Sequence, residues 1–351
     1  MIILGKSKSS YKRTVKQMFV DKLVTMQRFG VSRNELKKQG LDGEVISSYA
    51  TYHTYKKCAL AYANWLKHNH PEAKSWKKAR RFANTYLAEM AARYERGEIS
   101  AATVKTHAAA LNKIFGRQRD DRDFFRAPPM KRSEITRGRS VEAGSGNVEL
   151  DNFGRGTGLR AFKELEVLLG QTYRTRPQIL DLQLKLGAKQ KTTGSLNAKE
   201  KNLFAAATAA LRFKDINDFV FVEKGKGGKM RFAPIVGDHV AEIRDMIMST
   251  PADQRVFAEI PHDTFKTMNE HALRAEYAAA IYHRYARPLD QLPLDRYNKG
   301  LDVWYSSQVY VCRRDMAGNH YDRHALGLVA VALGHSYDRV YDVVSHYSYR
   351  F

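Results

Sequence analysis

Cysteine is nearly absent: Cys58 and Cys312 are the only two in 351 residues. Two thiols cannot build a disulfide framework or, by themselves, a cysteine-rich zinc site, so a reducing, cytoplasmic setting is expected. Long apolar runs are missing as well. No stretch approaches the roughly 20 residues that a bilayer-crossing helix needs, and the opening MIILGKSKSS has no signal-peptide apolar core. Neither secretion nor a membrane span is expected. The chain has no internal repeat and no low-complexity tract, and it lacks the HExxH zinc motif. His320 and His324 stand four apart without a nearby ligand cluster, so no metal is expected there.

Acidic residues are also scarce relative to basic ones. Asp and Glu number 37 against 59 Lys and Arg, for a formal net charge of +22. An excess this large attracts a polyanion, and nucleic acid is the commonest one. It is unevenly placed: residues 1–140 carry +18 of the +22 and residues 141–351 carry +4. The front should therefore be the main clamp on phosphates, and the rear a balanced domain with a local site.

What is present reads as two domains joined by a linker. Residues 1–46 are basic and helix-prone, with a break at Gly40–Gly43. From Ser47, the turn-spaced Tyr52, Tyr55, Ala59, Tyr62 and Leu66 predict a helix that runs to the break at Pro71. Two more helices are expected over about 73–96 and 100–115, the second N-capped by Ser100. Residues 47–118 thus predict a helical bundle. Residues 119–147, Arg-rich with Pro128-Pro129, predict a basic linker. From Val148 onward a mixed α/β domain is expected, with helices near 159–169, 199–211, 238–249, 271–285, 323–333 and 338–346. A hairpin is expected over 218–223 and 230–235. The fold class is mainly α with a small β-sheet.

Five short motifs in the rear carry chemistry. GTGLR at 156–160 sets Arg160 after a Gly-rich turn. KGKGGK at 224–229 is a hairpin tip loaded with Lys. HALR at 271–274 puts His271 and Arg274 three apart, on one helix face. ALGHS at 332–336 sets His335 between two helices. SHYSY at 345–349 contains Tyr347. Cutting a phosphodiester needs a nucleophile, cations on the non-bridging oxygens, and proton transfers from the nucleophile and to the leaving oxygen. Arg suits the cation role because its planar, always-charged fork matches phosphate oxygens. Taken singly, each motif is weak: GTGLR reads more readily as a plain loop with a surface Arg, KGKGGK as readily as a solvated hairpin tip, HALR as an ordinary polar helix face, and Tyr347 as a packing aromatic.

Their order resembles the signature of the tyrosine recombinase family, the integrases of phages and mobile elements. The likeness extends to the front, where SSYATYHTYKK at 47–57 resembles the opening of that family's core-binding domain. It includes LRFKDI at 211–216, which resembles the step into the catalytic hairpin. The resemblance implies a site-specific recombinase that cuts and rejoins double-stranded DNA through a 3′-phosphotyrosyl bond, without cofactor, metal or ATP, and works as a homotetramer on two DNA sites. Arg160 would be the first phosphate-binding Arg, and Lys226 the donor to the leaving 5′-oxygen. His271 would assist the nucleophile, Arg274 would complete the clamp, His335 would bond the phosphate, and Tyr347 would attack. Several departures leave alternatives open. Arg174, in YRTR at 173–176, rivals Arg160. Lys224 and Lys229 rival Lys226. Tyr349 and Tyr341 rival Tyr347. Residues 288–322 look like an insertion, and the sequence stops four residues after Tyr347. A type IB topoisomerase and a non-catalytic DNA-binding protein on the same fold are the competing functions.

Overall fold

The computed structural model describes residues 13–31, 33–41, 43–129, 148–158, 173–223, 229–251, 254, 256 and 270–351. The chain divides into two compact units, 1–134 and 135–351. Both are mainly helical; the described strands form only small sheets.

In the front unit, α1 (Val15–Thr25), α3 (Tyr49–Asn69), α4 (Trp76–Glu95) and α5 (Ala101–Ile114) surround one core; α2 (Arg33–Lys38) is a short turn between the first two. Three of these helices begin with a polar side chain that accepts from a backbone N–H of the first turn: Thr14, Ser75 and Ser100. The spacing that predicts α3 also fills the core. Tyr52, Ala59, Tyr62 and Leu66 are buried, alongside Leu87 and Met90 of α4 and Val104, Leu111 and Ile114 of α5. Each fully buried Leu or Ile contributes about 1.5–3 kcal/mol.

The unit is larger than the 47–118 bundle expected from sequence. Phe19, Leu23 and Met26 of α1 lie in the same core, where Phe19 packs edge-on against Trp76 and Phe115. The start of the expected linker folds back too. Asn112 exchanges hydrogen bonds with the backbone of Phe125 at 2.9 and 3.2 Å, and the buried Arg117 donates to Asn84 and to the Arg80 carbonyl while pairing with Asp123. Of the arginines in this stretch only Arg117 is buried, held by half-buried partners; Arg119, Arg122 and Arg126 remain exposed. Residues 130–147 lie outside the described residues.

In the rear unit, α6 (Val148–Thr157) precedes β1 (Tyr173–Thr175), α7 (Arg176–Thr193), α8 (Ala198–Ala210), β2 (Asp218–Val222), β3 (Arg231–Pro234) and α9 (Val240–Ser249). After these come α10 (Glu270–Tyr285), the small strands β4 (Arg296–Asn298), β5 (Val303–Tyr305), β6 (Val309–Val311) and β7 (His320–Asp322), then α11 (Arg323–Ala332) and α12 (Val340–Tyr347). The expected hairpin is β2–β3, antiparallel with Phe221 opposite Phe232, and β1 adds a third strand on its β2 edge. The centre is α11. From Ala325 to Ala332 every residue is buried, as a helix apolar all round must be. Helices α10 and α12 pack against it.

Two segments depart from expectation. No helix is expected from the sequence over α7, where Leu180, Leu182, Leu184 and Leu186 recur at every second residue. Its ends decide the matter: Thr175 and Gln178 form a reciprocal cap, Pro177 sits in the first turn, and Gly194 closes the helix in the left-handed region. The glycines expected to form a turn at 156–158 instead end a helix. Gly158 (φ +61°) lies so close to α10 that a Cβ there would sit 2.1 Å from the Tyr277 ring. The helix expected near 159–169 lies outside the described residues.

A candidate phosphate-binding corner at two helix ends

The site is built on the C-terminal ends of two helices. Helix α11 closes with Gly334 N–H donating to the Val331 carbonyl and His335 N–H donating to the Ala330 carbonyl, with Gly334 at φ +83°. This paired closure needs a left-handed residue, which glycine supplies without strain. It aims the Leu333 carbonyl outward and sets His335 immediately beyond. Helix α6 ends nearby at Gly158.

Arg274 joins these two ends. Its guanidinium donates to the Gly158 carbonyl at 2.8 Å and to the Leu333 carbonyl at 3.0 Å. The residue is 6 % exposed. Helix C-termini carry a partial negative charge that favours a cation, so a buried Arg is stabilised in this position. His271, half-buried, precedes it on α10 by three residues and shares its face.

His335 stands beside Arg274. Burial pushes its imidazole pKa down. The positive charges of Arg274, Arg339 and Lys229 push the same way, while Asp342 pulls it back up. The neutral ring is therefore favoured, and it keeps one N–H to donate. A cavity of about 190 Å³ opens at this ring, lined by Asn202 of α8, Lys229, Arg231 and Phe232 of the hairpin, and Gly334, His335 and Ser336. Arg231 lies against Gly334, its Nη1 3.2 Å from where a Cβ would be.

The structure thus brings Arg274, His335, the end of α6 at Gly158, and the stem of the hairpin that bears Lys226 to one corner. Arg160 and Lys226 themselves lie outside the described residues, as does Lys224. Arg174 sits on β1 opposite Phe219 and donates to its own Tyr173 carbonyl. Tyr347 is the last residue of α12, 7 % exposed, with its ring in the main core of the unit. Just after it, Ser348–Arg350 makes a tight turn, and Phe351 stacks flat on Tyr282 at 4.4 Å. Tyr341 points to solvent. Sequence reasoning passed over Arg231 and Asn202. Arg231 is adjacent to the KGKGGK tip and was open to notice; Asn202 lies mid-helix with no motif around it.

His320 and His324 do not share a helix face: His320 is in β7, and the His324 ring bonds the Tyr337 hydroxyl at 2.7 Å. Among the described residues no group of three His, Cys, Asp or Glu is placed to hold a metal ion, and no helix is long and apolar enough to cross a membrane. No family model, no curated protein and no solved structure matches this chain.

Proposed function

We propose that the chain is a DNA strand transferase of the tyrosine recombinase type. The observation that carries the reading is the Arg274–His335 corner. HALR and ALGHS, 61 residues apart in the sequence, meet there beside the hairpin stem and the end of α6. A donor-rich, partly desolvated corner of this kind suits the charge that builds on the non-bridging oxygens of a phosphodiester under attack. The +18 of residues 1–140 supplies the sequence-independent hold on double-stranded DNA.

In this reading the Tyr347 oxygen attacks phosphorus and passes its proton to His271. The P–O5′ bond breaks, and Lys226 protonates the departing 5′-oxygen. Arg160, Arg274 and His335 hold the non-bridging oxygens throughout. The phosphotyrosine then retains the energy for rejoining, so no metal or nucleotide is called for. Tyr347 is buried here, so in this reading its hydroxyl must become exposed before attack. Recombination between two sites calls for a homotetramer, and a type IB topoisomerase would share the cleavage step without site pairing.

The test uses nicked duplexes tiled across the DNA that flanks the coding region. The wild-type chain should form a protein–DNA adduct that survives denaturation, and Tyr347→Phe should bind DNA but form none. An adduct from Tyr347→Phe equal to wild type rejects Tyr347 as nucleophile. A second reading, a DNA-binding protein without catalysis, draws on the burial of Arg274 and its two carbonyl bonds, which give it a purely structural use. Specific binding with no adduct on any nicked substrate supports that reading.

A further inference from the structure

Exposed large apolar side chains gather in one short stretch of the rear unit. Leu294, Tyr297, Leu301, Val303, Trp304 and Tyr305 all lie between residues 294 and 305, with Leu301 71 % and Trp304 59 % exposed. They belong to the β4–β5 hairpin, where Tyr297 faces Trp304 in register and the two rings lie 5.4 Å apart. Local bonds hold its shape. At the neck, Ser307 donates from its N–H and its hydroxyl to Asp295; at the tip, Gly300 and Leu301 N–H groups donate to Asn298. The hairpin is therefore a pre-formed apolar knob. A two-stranded sheet with its faces in water is marginal by itself, and a clustered apolar patch of Tyr and Trp is what protein interfaces use as anchors.

Charge narrows the choice of partner. Across residues 288–311 three acids (Asp290, Asp295, Asp302) face two bases (Arg296, Lys299), in a chain of net charge +22. A near-neutral patch has little pull on a polyanion such as DNA or an anionic lipid surface. It is, however, the place where two strongly basic copies can meet with least repulsion. Its mixed charges are also self-complementary. Under a two-fold axis, Asp295 and Asp302 of one copy can face Arg296 and Lys299 of the other. Among the described residues, β4 and β5 pair only with each other, so each keeps an outer backbone edge for a further strand.

We propose that the 294–305 hairpin is a self-association surface that docks on the same hairpin of a second copy of this chain, with Leu301, Trp304 and Tyr305 as its apolar centre. The inference does not depend on strand-transfer chemistry, and its test contains no DNA, so it stands or falls separately from that reading.

Sedimentation of the full chain at concentrations up to about 100 µM should show a monomer–dimer equilibrium. Raising salt from about 0.1 to about 0.5 M should tighten it, because screening removes repulsion between basic copies while the apolar contact persists. Leu301→Asp combined with Trp304→Asp should weaken the dimer by at least about tenfold with unchanged far-ultraviolet circular dichroism. A second measurement avoids charge insertion altogether. Cys58 and Cys312 are buried, so a cysteine placed at the tip, Leu301→Cys, should cross-link two copies on mild oxidation, whereas Val24→Cys on the exposed side of α1 should not. A wild-type chain that stays monomeric in both salts overturns the proposal. So does a dimer that survives the double substitution, or cross-linking that is no faster from Leu301→Cys than from Val24→Cys.

Discussion

Arg274 shows how one residue can be both a structural tie and a candidate for chemistry. Its fork spans the carbonyls that end α6 and α11, and its charge bears on His335. The histidines near this helix carry a measurable consequence. Burial lowers the pKa of His335 and of His324, and neighbouring cations lower both further. Each ring therefore takes up its proton at lower pH in the folded unit than in the unfolded chain, where the ordinary value is about 6.5. The folded state then binds fewer protons, so stability is complete above about pH 6.5 and falls as the pH drops through that value towards the depressed folded one. Thermal melts from pH 8 down to 5.5 should show the decline, and His335→Gln should reduce its slope. An identical slope in the variant would mean that His335 does not contribute.

At the scale of elements, the segment between α10 and α11 is closed by one carboxylate. Asp322 is fully buried. It caps α11 by accepting from His324 N–H at 2.8 Å, and it receives the Arg287 backbone N–H and two guanidinium bonds at 2.8–3.0 Å. Burial alone would raise this carboxyl, but the Arg287 side chain, the Arg287 backbone N–H and the His324 N–H hold it below the usual range. Its contribution is present above the usual carboxylate value of about 3.9 and is lost only in more acid solution, clear of the histidine window. Asp322→Ala should therefore cost roughly 2–4 kcal/mol at neutral pH, from removal of the cap and the uncompensated Arg287. Urea unfolding followed by far-ultraviolet circular dichroism would measure it, since the unit that Asp322 belongs to is mainly helical. A loss under about 0.5 kcal/mol, the size of an ordinary surface change, would show that the cap is redundant.

For the molecule as a whole, the distribution of charge sets the expected binding behaviour. With +18 in residues 1–140, duplex affinity in the proposed reading comes chiefly from phosphate neutralisation. If about six phosphates are engaged, raising salt from about 50 to about 200 mM should weaken binding by roughly a thousandfold. Replacing exposed Lys or Arg of the front unit should flatten the log–log slope, by about one unit for each phosphate that is no longer neutralised. A slope near zero would remove duplex DNA as the partner. In that reading salt also separates DNA binding from hairpin pairing, since the pairing should strengthen where DNA binding weakens.

The sequence by itself determined the features that rest on local periodicity and local chemistry. Helices α3, α4 and α5, the β2–β3 hairpin and helices α8 to α12 follow from apolar spacing, turn residues and caps that act within a few positions. The charge asymmetry and the scarcity of cysteine are also complete in the sequence. Tertiary structure decided what depends on distant partners. The drawing of α1 and residues 117–129 into the front core needed Phe115, Asn112 and Asn84 to receive them. The helical state of 148–157 needed the close surface of α10. The meeting of Arg274 with Leu333 and His335 needed two helix ends to arrive at the same place. Periodicity tells a residue which face it occupies, but only packing across tens of residues tells it what that face meets.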